Sequence, residues 1–215
     1  HGLPQVACAT ITVDLTTVYI VESKSLKLYL NSLHHKRFDS VDDIGKCIQQ
    51  DLSNVLGQGV SVDIYPSTVN QFTNDDPYEA FLLDELDVRE FSYRRDASLL
   101  LKDEPLPAAE NEILRSHLLR SVCPITNQPD WGSLTIRYSG PAIQKEGLLR
   151  YIVSFRHHDG FHEQCVEQIY SDLIRQCQAT HLTVCAQYTR RGGIDINPIR
   201  SNHSAPLPLN RLWRQ

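Results

Sequence analysis

The strongest constraint on this chain is an apolar pattern that runs through it twice in the same order: strand, helix, helix, strand. In the first pass Ala9, Ile11, Val13 and Leu15 alternate with polar residues, the two-residue period of a half-buried strand. Residues 18–21 continue as a second strand after the Thr16-Thr17 turn, so a hairpin is expected to open the chain. Leu26, Tyr29, Leu30 and Leu33 then fall at helical spacing, and Val41, Ile44, Ile48, Leu52 and Val55 form the stripe of a second helix. Ser40, three residues before Asp43, is placed to cap that helix. Val60, Val62 and Ile64 alternate as a closing strand up to Pro66.

The second pass repeats this grammar without obvious residue identity. Leu134, Ile136 and Tyr138 alternate; Leu149, Ile152 and Val153 lie on a helix; Val166, Ile169, Tyr170, Leu173, Ile174 and Cys177 make a longer stripe; Leu182, Val184, Ala186 and Tyr188 close the set. Two copies of one module are therefore expected, at 1–65 and 112–200, joined by a connecting segment at 66–111. That connector carries turn signals at residues 74–77 and 104–107 and a strand at 88–93, and 201–215 is a tail without an assigned role. Hairpins with helix pairs packed on one side predict antiparallel sheets of the α+β class.

Composition narrows the function. With 41% hydrophobic and 22% charged residues the chain is of ordinary globular type, and its net charge of -5 gives no bulk attraction for a polyanion, so no nucleic-acid partner is expected. Apolar runs are too short to span a bilayer and no basic-then-apolar leader opens the sequence, which points to a soluble, cytoplasmic protein. The six cysteines show no CxxC pair and read as free thiols in a reducing compartment. Neither GxGxxG nor GxxxxGK[ST] occurs, so a nucleotide cofactor would need a different phosphate site.

Several segments carry candidate chemistry. Cys123 follows the helical-looking residues 118–121 and precedes Pro124, where the chain turns; Asp130 lies seven residues on, in a stretch rich in Pro, Asn and Gly that reads as irregular. A nucleophilic thiol fits this position, and so does a buried core cysteine, while Asp130 by itself reads as a turn-forming aspartate. The run from His157 to Cys165 is dense in metal-ligand types but lacks HExxH, so it reads either as a metal site or as solvated imidazoles around a helix start. There His162 and Glu163 suit a proton carrier and a hydrogen-bond acceptor for a bound base. Glu22, Ser23, Lys24 and Lys27 open the first helix with two ammonium groups on one face, a phosphate grip or a solvated charged face. Arg190 and Arg191, before Gly192-Gly193, are either an anion site or an ordinary basic turn.

Taken together, ESKSLKLY (22–29), CPITNQPDWGS (123–133), LLRYIVSFRHH (148–158), FHEQC (161–165) and YTRRGGIDINP (188–198) resemble the NADPH-dependent 7-cyano-7-deazaguanine reductase family, the nitrile reductases of queuosine biosynthesis, in their long two-module form. That form has an extension ahead of its first hairpin that this sequence does not include. The resemblance implies two tandem tunnelling-fold modules, usually dimeric, with sites where modules meet. It implies that Cys123 adds to the nitrile as a thioimide, that Asp130 protonates the nitrile nitrogen and that His162 aids proton transfer. Glu22, Ser23, Phe161 and Glu163 are implied to hold the deazaguanine, and Lys24, Lys27 and Arg190 or Arg191 the phosphates of NADPH, two of which are used per turnover without a metal. The competing expectations are a zinc-dependent hydrolase related to GTP cyclohydrolase, using the His and Cys of 157–165, and a non-catalytic module binding purine-like bases through Glu163.

Overall fold

The structure, a computed structural model, describes residues 7–14, 16, 18–33, 36–66, 79–103, 106–204, 210–212 and 214–215. Its contacts divide the chain into two compact units, residues 1–73 and 74–215. The turns expected at 74–77 and at Glu104 and Pro105 lie outside the described residues, as do Leu15 and Thr17.

In the first unit β1 (Ala7–Val13) pairs antiparallel with β2 (Val60–Pro66), Ile11 opposite Val62. This corrects the expected opening hairpin: the partner of the first strand comes after the helix pair, and Val18, Tyr19 and Ile20 are exposed and outside any strand. Apolar content without a face to bury against does not make a strand. Between the strands come α1 (Ser23–Leu33) and α2 (Val41–Leu56). The Ser40 hydroxyl accepts from Asp43 N, the expected cap, and Gly57 closes α2 in the left-handed conformation. Ile48, Leu52 and Leu56 of α2 and Leu33 of α1 pack with Ile11, Val13, Val60, Val62 and Ile64, so both helices cover the same sheet face. Val41 and Val55, read as part of that stripe, sit at its edge and are exposed.

The second unit is a five-stranded sheet in the order β3-β4-β5-β6-β7: β3 (Phe81–Leu82), β4 (Ala109–Val122), β5 (Pro129–Gly140), β6 (His181–Tyr188) and β7 (Ile199–Ser201). β3 runs parallel to β4 and the remaining neighbours are antiparallel. The helices α3 (Lys145–Ser154) and α4 (His162–Cys177) bury Leu149, Ile152, Ile169 and Leu173 against the row Leu134, Ile136, Tyr138, Leu182, Val184 and Ala186. Two local expectations change. The stretch 118–121 is strand, not helix, and the connector's strand is β3, with 88–93 irregular. The tail also acquires a place: Gln187 Nε2 donates to Asn210 O and to Gln215 Oε1, both at 2.9 Å.

β4 reads as a helix because a bulge breaks its alternation. Ser116 pairs with Leu134 but Leu119 pairs with Gly132, so one extra residue sits in β4. The Asp84 carboxylate satisfies the bulge, accepting from Ser116 Oγ at 2.6 Å and from His117 N at 2.9 Å. Past the bulge the inward set becomes Leu119 and Ser121, with Leu118 turned out. That shift brings the strand to the site in the correct phase.

Candidate active site

The site of the second unit lies at one end of its core, where the apolar row of β5 becomes polar. Going back along the strand, Tyr138, Ile136, Leu134, Gly132 and Asp130 share one face by the two-residue period, so Asp130 is the last member of the core row and is only 4% exposed. It is a strand residue opposite Ser121, and the expected irregular segment shrinks to residues 123–128. Pro129 is tolerated because it is the first residue of its strand.

Those six residues form a closed turn. Cys123 N donates to Gln128 O and Asn127 N donates back to Cys123 O, both at 2.9 Å, with Asn127 in the left-handed region at φ 54°. On its other side Val122 is held by the segment before α4, through Val122 N to His158 O at 2.9 Å and Gly160 N to Val122 O at 3.1 Å. Burial alone would raise the Cys123 thiol. The Thr126 hydroxyl, the N–H groups of Ile125 and Thr126 and the Arg191 guanidinium outweigh it and hold the thiol below its ordinary value. Cys123 is therefore the activated cysteine here, whereas burial pushes Cys165 and Cys177 up, Cys177 to about 11, and Cys185 to about 12.

Two basic side chains converge on Asp130. Arg191 Nη1 donates to Oδ1 at 2.7 Å, and His162 Nε2 lies 3.4 Å from Oδ2, an ion-pair separation rather than an aligned hydrogen bond. Burial pushes this carboxyl up, but His162 and Arg191 prevail and hold it below the usual carboxylate range. Asp130 at rest is thus a carboxylate. His162 is the first residue of α4, as expected, and its ring rests on the buried Tyr188 ring at a centroid distance of 3.9 Å. Phe161, before the helix, is 42% exposed, its N–H accepted by Gln164 Oε1 at 3.1 Å; Glu163 follows His162 in the first turn.

The fold therefore brings Cys123, Asp130, His162 and Arg191 together, with Phe161 and Glu163 on the adjoining turn. Arg190 is exposed, its Nη2 3.4 Å from Gln215 O. Glu22, Ser23, Lys24 and Lys27 form a separate group at the start of α1. The Glu22 carboxylate caps that helix, accepting from Lys24 N at 2.9 Å, Ser25 N at 2.7 Å and Ser25 Oγ at 2.8 Å, and these bonds hold it below the usual carboxylate range. Lys24 and Lys27 are exposed one turn apart. Sequence reasoning missed Thr126, Gln128 and Tyr188; the only available signal was that three side-chain hydrogen-bonders, Thr126, Asn127 and Gln128, lie between the cysteine and the aspartate. Among the described residues no group of three or more His, Cys, Asp or Glu side chains gathers as a metal-ligand set. No helix among them is long and apolar enough to cross a membrane.

A thiol held below its ordinary value that shares Arg191 with a buried carboxylate has the surroundings that a nucleophilic cysteine requires. Comparison with known proteins narrows that class. A family model described as "Nitrile reductase, 7-cyano-7-deazaguanine-reductase N-term" matches residues 1–64, and one described as "QueF-like protein" matches 129–206. A curated NADPH-dependent 7-cyano-7-deazaguanine reductase from Paraburkholderia phymatum is 47% identical over 219 residues, covering 100% of this chain and 78% of its own. The same enzyme from Burkholderia orbicola is 49% identical over 217 residues, covering 100% and 79%. The chain belongs to the NADPH-dependent 7-cyano-7-deazaguanine reductase family. An apo archaeosine synthase QueF-Like crystal structure overlaps 49% of the chain and all of its own at 18% identity and a TM-score of 0.39, too weak an overlap to bear on the assignment.

Proposed function

We propose that this protein reduces the nitrile of 7-cyano-7-deazaguanine to the primary amine with NADPH, in queuosine biosynthesis, and that Cys123 is the nucleophile. The observation that carries this reading is the Cys123 turn, where a thiol held below its ordinary value shares Arg191 with the Asp130 carboxylate. Attack of the Cys123 sulfur on the nitrile carbon forms a C–S bond and gives a thioimide, turning a poorly electrophilic C≡N into a C=N that accepts hydride. The nitrogen must gain a proton in that step. Asp130 delivers it, and since its resting form is a carboxylate, His162 at 3.4 Å is the group that recharges it.

Glu163 and Glu22 accept from the N–H edge of the deazaguanine, for which ionised acceptors are suited. Ser23 is a further polar contact for the base, and exposed Phe161 offers its ring as a stacking surface. Lys24, Lys27 and Arg190, all exposed cations, fit the phosphates of NADPH in place of a glycine-rich loop. Bound NADPH would supply hydride to the substrate carbon twice per nitrile: after the first transfer the C–S bond breaks, returning the Cys123 thiolate and leaving an imine, which the second hydride and a further proton convert to the amine. The helix pair lying on one sheet face in each unit supports two tandem tunnelling-fold modules, and we take the working assembly to be a cytoplasmic homodimer that binds small molecules and no nucleic acid.

Mass spectrometry of the protein mixed with 7-cyano-7-deazaguanine without NADPH tests the mechanism. The expected result is an adduct on the Cys123 peptide, with two NADPH consumed per nitrile once cofactor is added. A bound but unmodified ligand rules the covalent route out. Base binding without any NADPH consumption would instead indicate a non-catalytic module, and stoichiometric zinc on Cys165 or His162 the hydrolase.

A further inference from the structure

Arg191 and Arg190 are neighbours in sequence, yet their side chains have different surroundings. After β6, Thr189 N still donates to Trp131 O at 2.9 Å, which keeps the chain alongside β5. It then reverses over Gly192 and Gly193, at φ 63° and 87°, while Arg191 and Ile194 exchange backbone hydrogen bonds at 2.9 and 3.3 Å. Two successive left-handed residues make a tight two-residue turn that glycine enters without steric cost. Arg191, at the base of that turn, reaches the Cys123 loop.

Its guanidinium is heavily engaged there. Nη1 donates to Asp130 Oδ1 at 2.7 Å, and Nη2 donates to Gln128 Oε1 at 2.6 Å and to Thr126 Oγ1 at 3.2 Å. Both hydrogens of Nη2 are thereby in use. Each of the two edges by which a guanidinium grips a phosphate with parallel N–H groups includes Nη2, so neither keeps a free pair. Arg190, by contrast, is exposed.

We infer that Arg191 is a positioning residue for the nucleophile: by joining Thr126, Gln128 and Asp130 it locks the 123–128 turn against β5 and fixes the Cys123 thiol relative to the carboxylate, leaving Arg190 as the arginine of this pair that meets a cofactor phosphate. The inference rests on the nitrile-reductase reading for what the thiol does, but not for the clamp itself. The charged and titratable groups around Cys123 are Arg191 from the turn after β6, Asp130 from β5 and, behind Asp130, His162 from α4.

The experiment is the pH profile of Cys123 alkylation by iodoacetamide, read on the Cys123 peptide by mass spectrometry, with NADPH kinetics alongside. In Arg191→Gln the alkylation rate near neutral pH should fall at least about three-fold and the profile move to higher pH, since the variant removes the guanidinium and frees the turn whose Thr126 hydroxyl and N–H groups favour the thiolate. Arg191→Lys keeps the charge without the fork and should fall between. In both variants kcat should drop while KM for NADPH stays within about three-fold, whereas Arg190→Gln should raise that KM and leave the alkylation profile in place. An alkylation profile unmoved in Arg191→Gln and Arg191→Lys overturns the inference, as does a ten-fold rise in their KM for NADPH. Alkylation needs neither nitrile nor NADPH, so a wild type that never consumes NADPH would remove the proposed function and leave the clamp decided by its own result.

Discussion

Removing the Asp172 side chain should destabilise the second unit by about 2–5 kcal/mol. Asp172 lies on α4 with its side chain 2% exposed, and it accepts from Tyr151 OH at 2.7 Å, from Arg95 Nη2 at 2.5 Å and from Arg175 on the next turn. In Asp172→Ala the Tyr151 hydroxyl, on a residue at 0% exposure, loses this acceptor, at about 1–3 kcal/mol. The Arg95 side chain is 30% exposed, so water recovers only part of its lost partner, and about 1–2 kcal/mol more is expected after discounting for solvent. Arg175, at 63%, re-solvates at little cost. Tyr151→Phe removes the hydroxyl together with its need for an acceptor and leaves both guanidinium groups on Asp172, so it should cost only about 1 kcal/mol. Urea titration at neutral pH with a parallel thermal melt measures both, and the alanine variant should melt about 10 °C lower, at some 2–4 °C per kcal/mol. A loss below about 1 kcal/mol for Asp172→Ala, or one for Tyr151→Phe that equals it, would refute the assignment of this carboxylate as the tie between the connector and the helix pair.

Two helical glycines should respond to alanine with opposite signs. At Gly45 a Cβ meets Ile64 at 3.6 Å, an ordinary contact, so Gly45→Ala should stabilise by up to about 1 kcal/mol, while at Gly147 a Cβ would stand 2.4 Å from the Leu99 carbonyl oxygen and the variant should lose about 1–3 kcal/mol despite the better helix former; equal melting shifts would contradict this. Timed alkylation with peptide mapping should label Cys123 well ahead of Cys165, Cys177 and Cys185, and early labelling of any of these three would contradict the burial that raises them. Cys123→Ala should abolish NADPH consumption with the nitrile and leave base binding by calorimetry intact, whereas residual turnover would exclude Cys123 as nucleophile. Asp130 is held below the usual carboxylate range, so its stabilisation is present above about pH 4 and is lost as pH falls through the lower folded value. Asp130→Asn should accordingly lose less of its urea midpoint than wild type between about pH 5 and pH 3, and parallel losses would show that the carboxylate contributes nothing there.

Most helices were legible because each has a periodic apolar stripe and local end signals. Ser40 ahead of α2 and the FHE start of α4 are local chemistry, and both stand where periodicity placed them. Strand pairing was legible only in part. β1 had the right alternation, but its partner was misassigned to the nearest apolar run, since alternation specifies a face and not a neighbour. β4 was misread because its bulge removes the two-residue period at the point where Asp84, more than thirty residues earlier, supplies the missing acceptor.

The sequence by itself determined the family, through ordered blocks that need no geometry to be compared, and with it the choice of Cys123 and Asp130 as the pair to examine. It left each of them with an inert alternative, a buried thiol and a turn aspartate. Only the tertiary structure set their surroundings: Asp130 is the polar end of the β5 core row, held as a carboxylate by His162 and Arg191, and Cys123 sits where hydroxyl, backbone N–H and guanidinium groups favour its charge. The reason is that a pKa depends on which donors and charges come within a few ångströms, and those arrive from β5, α4 and the turn after β6, segments more than sixty residues apart in the chain. The different surroundings of Arg190 and Arg191 have the same origin, since two adjacent arginines look alike in sequence until a two-glycine turn directs one of them at the Cys123 loop.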